Sequence, residues 1–120
     1  MADNVIKTKS FNFALRIIKL FQFLNQEKKE FVLSKQLLRS GTSIGALVRE
    51  SEQAESKKDF IHKLAIAQKE ANETDYWLEL LFQSDYLNET QFKSIKSDIV
   101  EINKILASII ITTKQKLNTI

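Results

Sequence analysis

The chain contains no proline, and its two glycines, Gly41 and Gly45, stand four residues apart. Proline and glycine are the strongest interrupters of regular structure, so their scarcity leaves few places where 120 residues can turn. Long helices joined by short connections satisfy that constraint. This length suits one domain with one core.

Four helical segments follow from hydrophobic spacing and capping residues. The first covers about residues 4–24. Phe11, Leu15, Ile18 and Phe21, together with Phe13, Ile17, Leu20 and Leu24, recur at three- and four-residue steps and cover more than one stripe. That pattern implies contact with more than one neighbour. The NQEKKE stretch reads as a charged turn. The second segment, 34–55, has Ser34 as its expected N-cap, with Leu33 and Leu38 placed for a hydrophobic staple. Ser56 caps the third, 57–84, with Asp59 three residues on. Its stripe Phe60, Leu64, Ala67, Ala71, Thr74, Leu78, Leu81 alternates steps of four and three, a heptad seam. Asn88 and Gln91 form a capping box for the fourth, 89–117, where Phe92, Ile95, Ile99, Ile102, Leu106 and Ile109 repeat the seam. Helices of this length joined by turns of a few residues lie antiparallel. The expected fold is all-α, an antiparallel up-and-down four-helix bundle in a single domain spanning 1–120.

Gly41 and Gly45 fall inside the second segment. If a turn broke the helix there, Thr42 or Ser43 would cap the next one, yet neither has Glu or Gln three residues later. Leu37, Gly41, Ile44 and Val48 continue one stripe through the supposed break. The spacing therefore predicts an uninterrupted helix. Each interior glycine costs about 0.8–1 kcal/mol relative to alanine. Close approach of a second backbone to the small face made by Ser40, Gly41, Ser43, Gly45 and Ala46 would offset that cost. A tight crossing within the monomer, a subunit interface and a ligand groove all fit.

Charge narrows the function classes. The net charge is +3, but residues 1–49 carry nine Lys/Arg against three acids, and residues 50–101 carry six against twelve. A basic face suits a polyanion, self-association through opposite charges, or simply a soluble surface. The basic residues placed to neutralise phosphates are Lys7, Lys9, Arg16, Lys19, Lys28, Lys29, Lys35 and Arg39, without base readout. No recognition motif supports sequence specificity.

Chemistry-bearing constellations are sparse. There is no cysteine, hence no disulfide framework or thiolate site, and no Gly-rich phosphate loop. Asp59 and His62 have the three-residue spacing of carboxylate-bridged di-metal bundles, but a second histidine is lacking. His62 reads as a surface or boundary residue, and no nucleophile elbow is present. Glu70 and Glu73 read as surface acids, with Lys69 spaced to pair with Glu73. Trp77 adjoins the seam and reads as partly buried; base stacking is the alternative. No catalytic residue, cofactor or metal is expected. No apolar run approaches the ~18 residues of a membrane helix, and a cytoplasmic location is the default expectation.

The stretches LLRSGTSIGALVRE and SKKDFIHKLAIAQKEANETDYWLELL resemble the 23S rRNA intervening-sequence protein family of small bacterial four-helix bundles. The resemblance covers roughly residues 13–81. Ser40, Gly41, Ser43, Ile44, Gly45 and Ala46 correspond to its small-residue motif, followed by Arg49 and Glu50. Asp59, Phe60, Lys69, Glu70, Glu73, Tyr76, Trp77 and Leu78 correspond to its third-helix motif. Leu47 stands where the family often has asparagine, so a polar role is replaced by apolar packing. The accessory protein of diversity-generating retroelements is related. What the resemblance implies is a non-enzymatic homo-oligomer, a pentamer, associating with RNA or DNA or with a reverse-transcriptase-like protein. A protein-interaction module without nucleic-acid binding is the alternative.

Overall fold

The computed structural model describes residues 2–118, with side chains from residue 5 onward. Four helices follow one another: α1 (Ala2–Gln26), α2 (Leu33–Ser51), α3 (Lys57–Gln83) and α4 (Glu89–Asn118). Each packs on its neighbours in sequence, and α1 closes the ring against α4 through the thinnest of the four seams. The body measures 54 × 22 × 20 Å. It is an antiparallel four-helix bundle.

The two seams with alternating four- and three-residue steps build the core. Leu64, Ala67, Ala71, Thr74, Leu78 and Leu81 of α3 are buried, as are Ile95, Ile99, Ile102, Leu106 and Ile109 of α4. Phe82 and Phe92 stack at 4.3 Å between centroids where α3 turns into α4. Leu37, Ile44 and Val48 of α2 complete the interior with Ile6, Phe13, Ile17 and Leu24 of α1. The other α1 stripe, Phe11, Leu15 and Ile18, faces outward.

Capping explains the helix ends. Asn88 Oδ1 accepts from Gln91 N at 2.8 Å, and Gln91 Oε1 accepts from Asn88 N at 2.9 Å, a complete capping box. Ser56 Oγ accepts from Asp59 N at 3.0 Å, while Asp59 Oδ2 reaches back to Glu55 N at 3.2 Å. At α2 the expected Ser34 cap is replaced. Glu30, four residues upstream, is buried, and its carboxylate accepts from Val32 N, Leu33 N and Ser34 N at 3.2, 3.0 and 2.7 Å. Ser34 instead donates its hydroxyl to the Glu30 carbonyl at 2.9 Å. Glutamate has the reach to satisfy three orphan donors at once, which serine lacks. The α1–α2 turn is closed by Glu30 N donating to Leu24 O at 2.9 Å, with Lys29 at φ 55°.

The second helix ends at Ser51, earlier than the expected Glu55. Glu52, Gln53 and Ala54 donate to carbonyls three residues back, tightening the last turn, and Glu55 N already belongs to the α3 cap.

Through Gly41 and Gly45 the helix is unbroken, and neither glycine has a positive φ. Both approach α1. A Cβ on Gly41 would stand 2.8 and 2.9 Å from the two γ-carbons of Ile17, and one on Gly45 would stand 3.3 Å from the Ser10 carbonyl oxygen. A tight crossing inside the monomer therefore accounts for Gly41. The γ-carbons of a β-branched side chain cannot swing aside. Gly41→Ala should lose about 1–2 kcal/mol net, overpacking outweighing the gain in helix propensity. Gly45→Ala, which needs a shift of only a few tenths of an ångström, should fall close to wild type. Urea unfolding of the two variants checks the order, and equal stabilities would refute the Ile17 contact.

Candidate functional site

The eight basic residues singled out above fall into two groups. Four are engaged by carboxylates of the same chain. Lys7 pairs with Glu52 at 3.3 Å, and Lys9 pairs with Glu101. Arg16 spans the α1–α4 seam to Asp98 at 2.5 Å and to Ser94 Oγ at 2.8 Å. Arg39 crosses from α2 to Glu73 at 2.6 Å and Glu70 at 3.4 Å on α3. The other four, Lys19, Lys28, Lys29 and Lys35, are exposed, and among the described residues no carboxylate pairs with them. Lys28, Lys29 and Lys35 gather at the α1–α2 turn. Lys19 lines a shallow groove of about 420 Å³ between α1 and α4 with Arg16, Leu20, Phe23, Gln91 and Ile95.

Arg39 anchors a polar clasp between α2 and α3. Its hydrogen bond holds the Glu73 carboxyl below the ordinary carboxylate range, and the same bond raises the Arg39 guanidinium. Glu73 also accepts from Trp77 Nε1 at 3.4 Å. Beneath the clasp the Thr74 hydroxyl donates to Ser40 Oγ at 2.9 Å, both side chains being buried. Glu70 and Glu73 are therefore structural partners of one arginine, rather than the surface acids expected, and Lys69 only adds a minor field on Glu73. Trp77 is half-buried and Tyr76 exposed, with their rings in edge contact at 5.2 Å. His62 is exposed, and the Asp59 carboxylate is committed to Glu55 N. Among the described residues no three His, Cys, Asp or Glu side chains converge as metal ligands. No helix of these residues is long and apolar enough to cross a membrane.

The small-residue motif serves two faces. Ser40, Gly41 and Ile44 point inward and are buried, while Ser43 is half-buried and turns its hydroxyl to Arg39 O at 2.6 Å. Gly45 and Ala46, with Thr42, form the floor of an outer groove of about 280 Å³ walled by Phe11, Leu15 and Ile18 of α1. Arg49 lies over the Phe11 ring at 5.1 Å. Phe11, Leu15 and Ile18 remain 47%, 45% and 39% exposed, a contiguous apolar stripe. The sequence offers the broad apolar faces of the first and fourth helices and the small residues Gly45 and Ala46 as interface candidates, without telling which stripe of α1 is bare. The signal was present in the doubled stripe of α1, but which stripe faces the core is decided only by where α2 and α4 lie. Leu47 is partly buried against the core, the apolar role that its departure from asparagine implies.

The sequence model of the 23S rRNA-intervening sequence protein matches residues 2–108 of this chain. The chain belongs to the 23S rRNA-intervening sequence protein family. Among solved structures, a protein of unknown function from the S23 ribosomal protein family of Bacteroides thetaiotaomicron, at 1.70 Å, is 63% identical. The alignment covers 92% of this chain and 98% of that one, with a TM-score of 0.91. No curated protein matches. The intervening-sequence protein match takes in α1, α2, α3 and most of α4, so it extends beyond the two motifs that carried the resemblance.

Proposed function

We propose that this intervening-sequence protein is a non-enzymatic cytoplasmic scaffold that assembles with copies of itself and offers basic surfaces to RNA or DNA, or to a reverse-transcriptase-like enzyme. The observation that carries the reading is the outer face of α1 and α2. A contiguous stripe of phenylalanine, leucine and isoleucine over a floor of glycine and alanine is costly to leave in water and shaped for close packing. A second copy is the partner always available to cover it. Five subunits is the number that the family resemblance suggests. The four candidate lysines without carboxylate partners, Lys19, Lys28, Lys29 and Lys35, supply the polyanion-binding charge, acting on phosphates without base readout.

Light scattering coupled to gel filtration tests the assembly, and a salt titration of RNA and DNA binding tests the partner. The expected results are a mass several times 13.9 kDa and binding that weakens steeply with salt. Absence of binding at low ionic strength would remove the nucleic-acid half of the proposal.

One observation favours the alternative, a protein-interaction module without nucleic-acid binding. Half of the basic candidates are already spent on carboxylates of the same chain. Salt-insensitive capture of a protein in the absence of nucleic acid would support it.

A further inference from the structure

The α1–α2 turn presents an unusual surface. Glu30 is drawn inside, its two oxygens occupied by the backbone N–H groups of Val32, Leu33 and Ser34 at the start of α2, so one of the turn's two acids is withdrawn from the surface. That inward turn forces the next two residues out. Phe31 is 50% and Val32 72% exposed, at a place fixed by the cap. Around them stand Lys28, Lys29 and Lys35, exposed and without carboxylate partners among the described residues, Lys28 lying over the Phe23 ring at 5.9 Å, against Glu27 as the tip's remaining exposed acid. Lys35 sits exposed in the first turn of α2, where the Glu30 carboxylate on the N-terminal N–H groups offsets its charge against the helix dipole.

We propose that this tip binds single-stranded nucleic acid, with the three lysines on successive phosphates and the Phe31 ring stacked on a base. The inference rests on the nucleic-acid reading above and specifies its site and substrate class. An aromatic ring standing on a convex tip can meet an unpaired base face but cannot enter an intact duplex stack. Stacking is tolerant of sequence, consistent with the lack of any base-reading motif. Because the cap already fixes the backbone on both sides of Phe31, little ordering is needed on binding. A lipid surface is the less suited partner, since one phenylalanine and one valine bury little apolar area.

The test is fluorescence anisotropy of a short single-stranded RNA, the matching duplex, and anionic phosphatidylserine vesicles with the full chain. Phe31→Ala, the pair Lys28→Gln with Lys29→Gln, and a control pair Lys104→Gln with Lys114→Gln on α4 are compared. Circular dichroism and light scattering verify that each variant folds and assembles. Phe31→Ala should weaken single-strand binding roughly 5- to 100-fold while leaving the salt slope and duplex binding unchanged. Neutralising Lys28 and Lys29 should flatten the log–log salt slope by about 1.4. Single-strand binding that ignores both tip variants and falls with the α4 pair would overturn the tip and leave the wider nucleic-acid reading intact. A wild-type chain that binds no nucleic acid at low salt would remove both. Tip-dependent binding to vesicles without binding to RNA would overturn the proposal in favour of a membrane partner.

Discussion

Leu15→Lys is expected to yield a folded monomer. Leu15 stands at the middle of the outer stripe, between Phe11 and Ile18, and is 45% exposed in the single chain. Lysine is a good helix former, and exposed substitutions rarely shift stability by more than about 0.5 kcal/mol, so helicity should be unchanged. Lysine is chosen over an acid because Lys19, one turn on, and Arg49, across the same groove, would neutralise a carboxylate. If copies meet through this face, each contact would bury an unpaired ammonium beside another cation, a loss of about 3–5 kcal/mol per interface. Light scattering should then report the mass of one chain. A variant that still runs at the wild-type mass would place the contact elsewhere, and a monomeric wild type would remove self-association altogether.

The second large effect is expected at Glu30. Replacing it with alanine leaves the N–H groups of Val32, Leu33 and Ser34 without acceptors, and Ser34 is buried. A buried donor left unpaired costs about 1–3 kcal/mol, less where water can reach it. Summed over the three, Glu30→Ala should destabilise by about 3 kcal/mol, which for a chain of this size lowers the melting temperature by roughly 10 °C. Glu30→Gln keeps one acceptor oxygen and should lose about half as much. Thermal unfolding of both decides it, and an alanine variant that melts with wild type would show that water replaces the carboxylate at no cost.

The two heptad seams were legible because α3 and α4 each carry one dominant stripe, and a single stripe leaves only one way to face a core. The first helix was only half legible. Phe11–Leu15–Ile18 and Phe13–Ile17–Leu24 are equally periodic, and nothing local tells the covered stripe from the bare one. The cap of α2 was missed because the usual signature places the capping oxygen next to the helix, whereas Glu30 reaches forward past two residues. The end of α2 was overrun for a related reason: Glu52–Glu55 are adequate helix formers, and the tightening that stops them is a backbone event. The continuity through Gly41 was readable, since no capping partner followed Thr42 or Ser43. That Ile17 is what fills the space was not, because the contact joins residues far apart in the chain.

Charge shows the same limit. The basic first third and acidic middle were visible in the composition, but their purpose lay in pairs separated by 45 residues, as in Lys7–Glu52, or 82, as in Arg16–Asp98. Much of the apparent polarity is cancelled by ion pairs between helices on the bundle's surface. Of the eight basic candidates, those left without a carboxylate are Lys19 and the three lysines at the α1–α2 turn.

One of those lysines carries a hidden tension. Residue 29 adopts φ 55°, a backbone shape in which any side chain beyond hydrogen crowds the following carbonyl, at about 1 kcal/mol. A chain that spends its two glycines at a helix crossing gives this turn a lysine instead. Relaxing the turn with glycine would make the fold firmer and the tip less cationic, so at this position durability and grip pull in opposite directions.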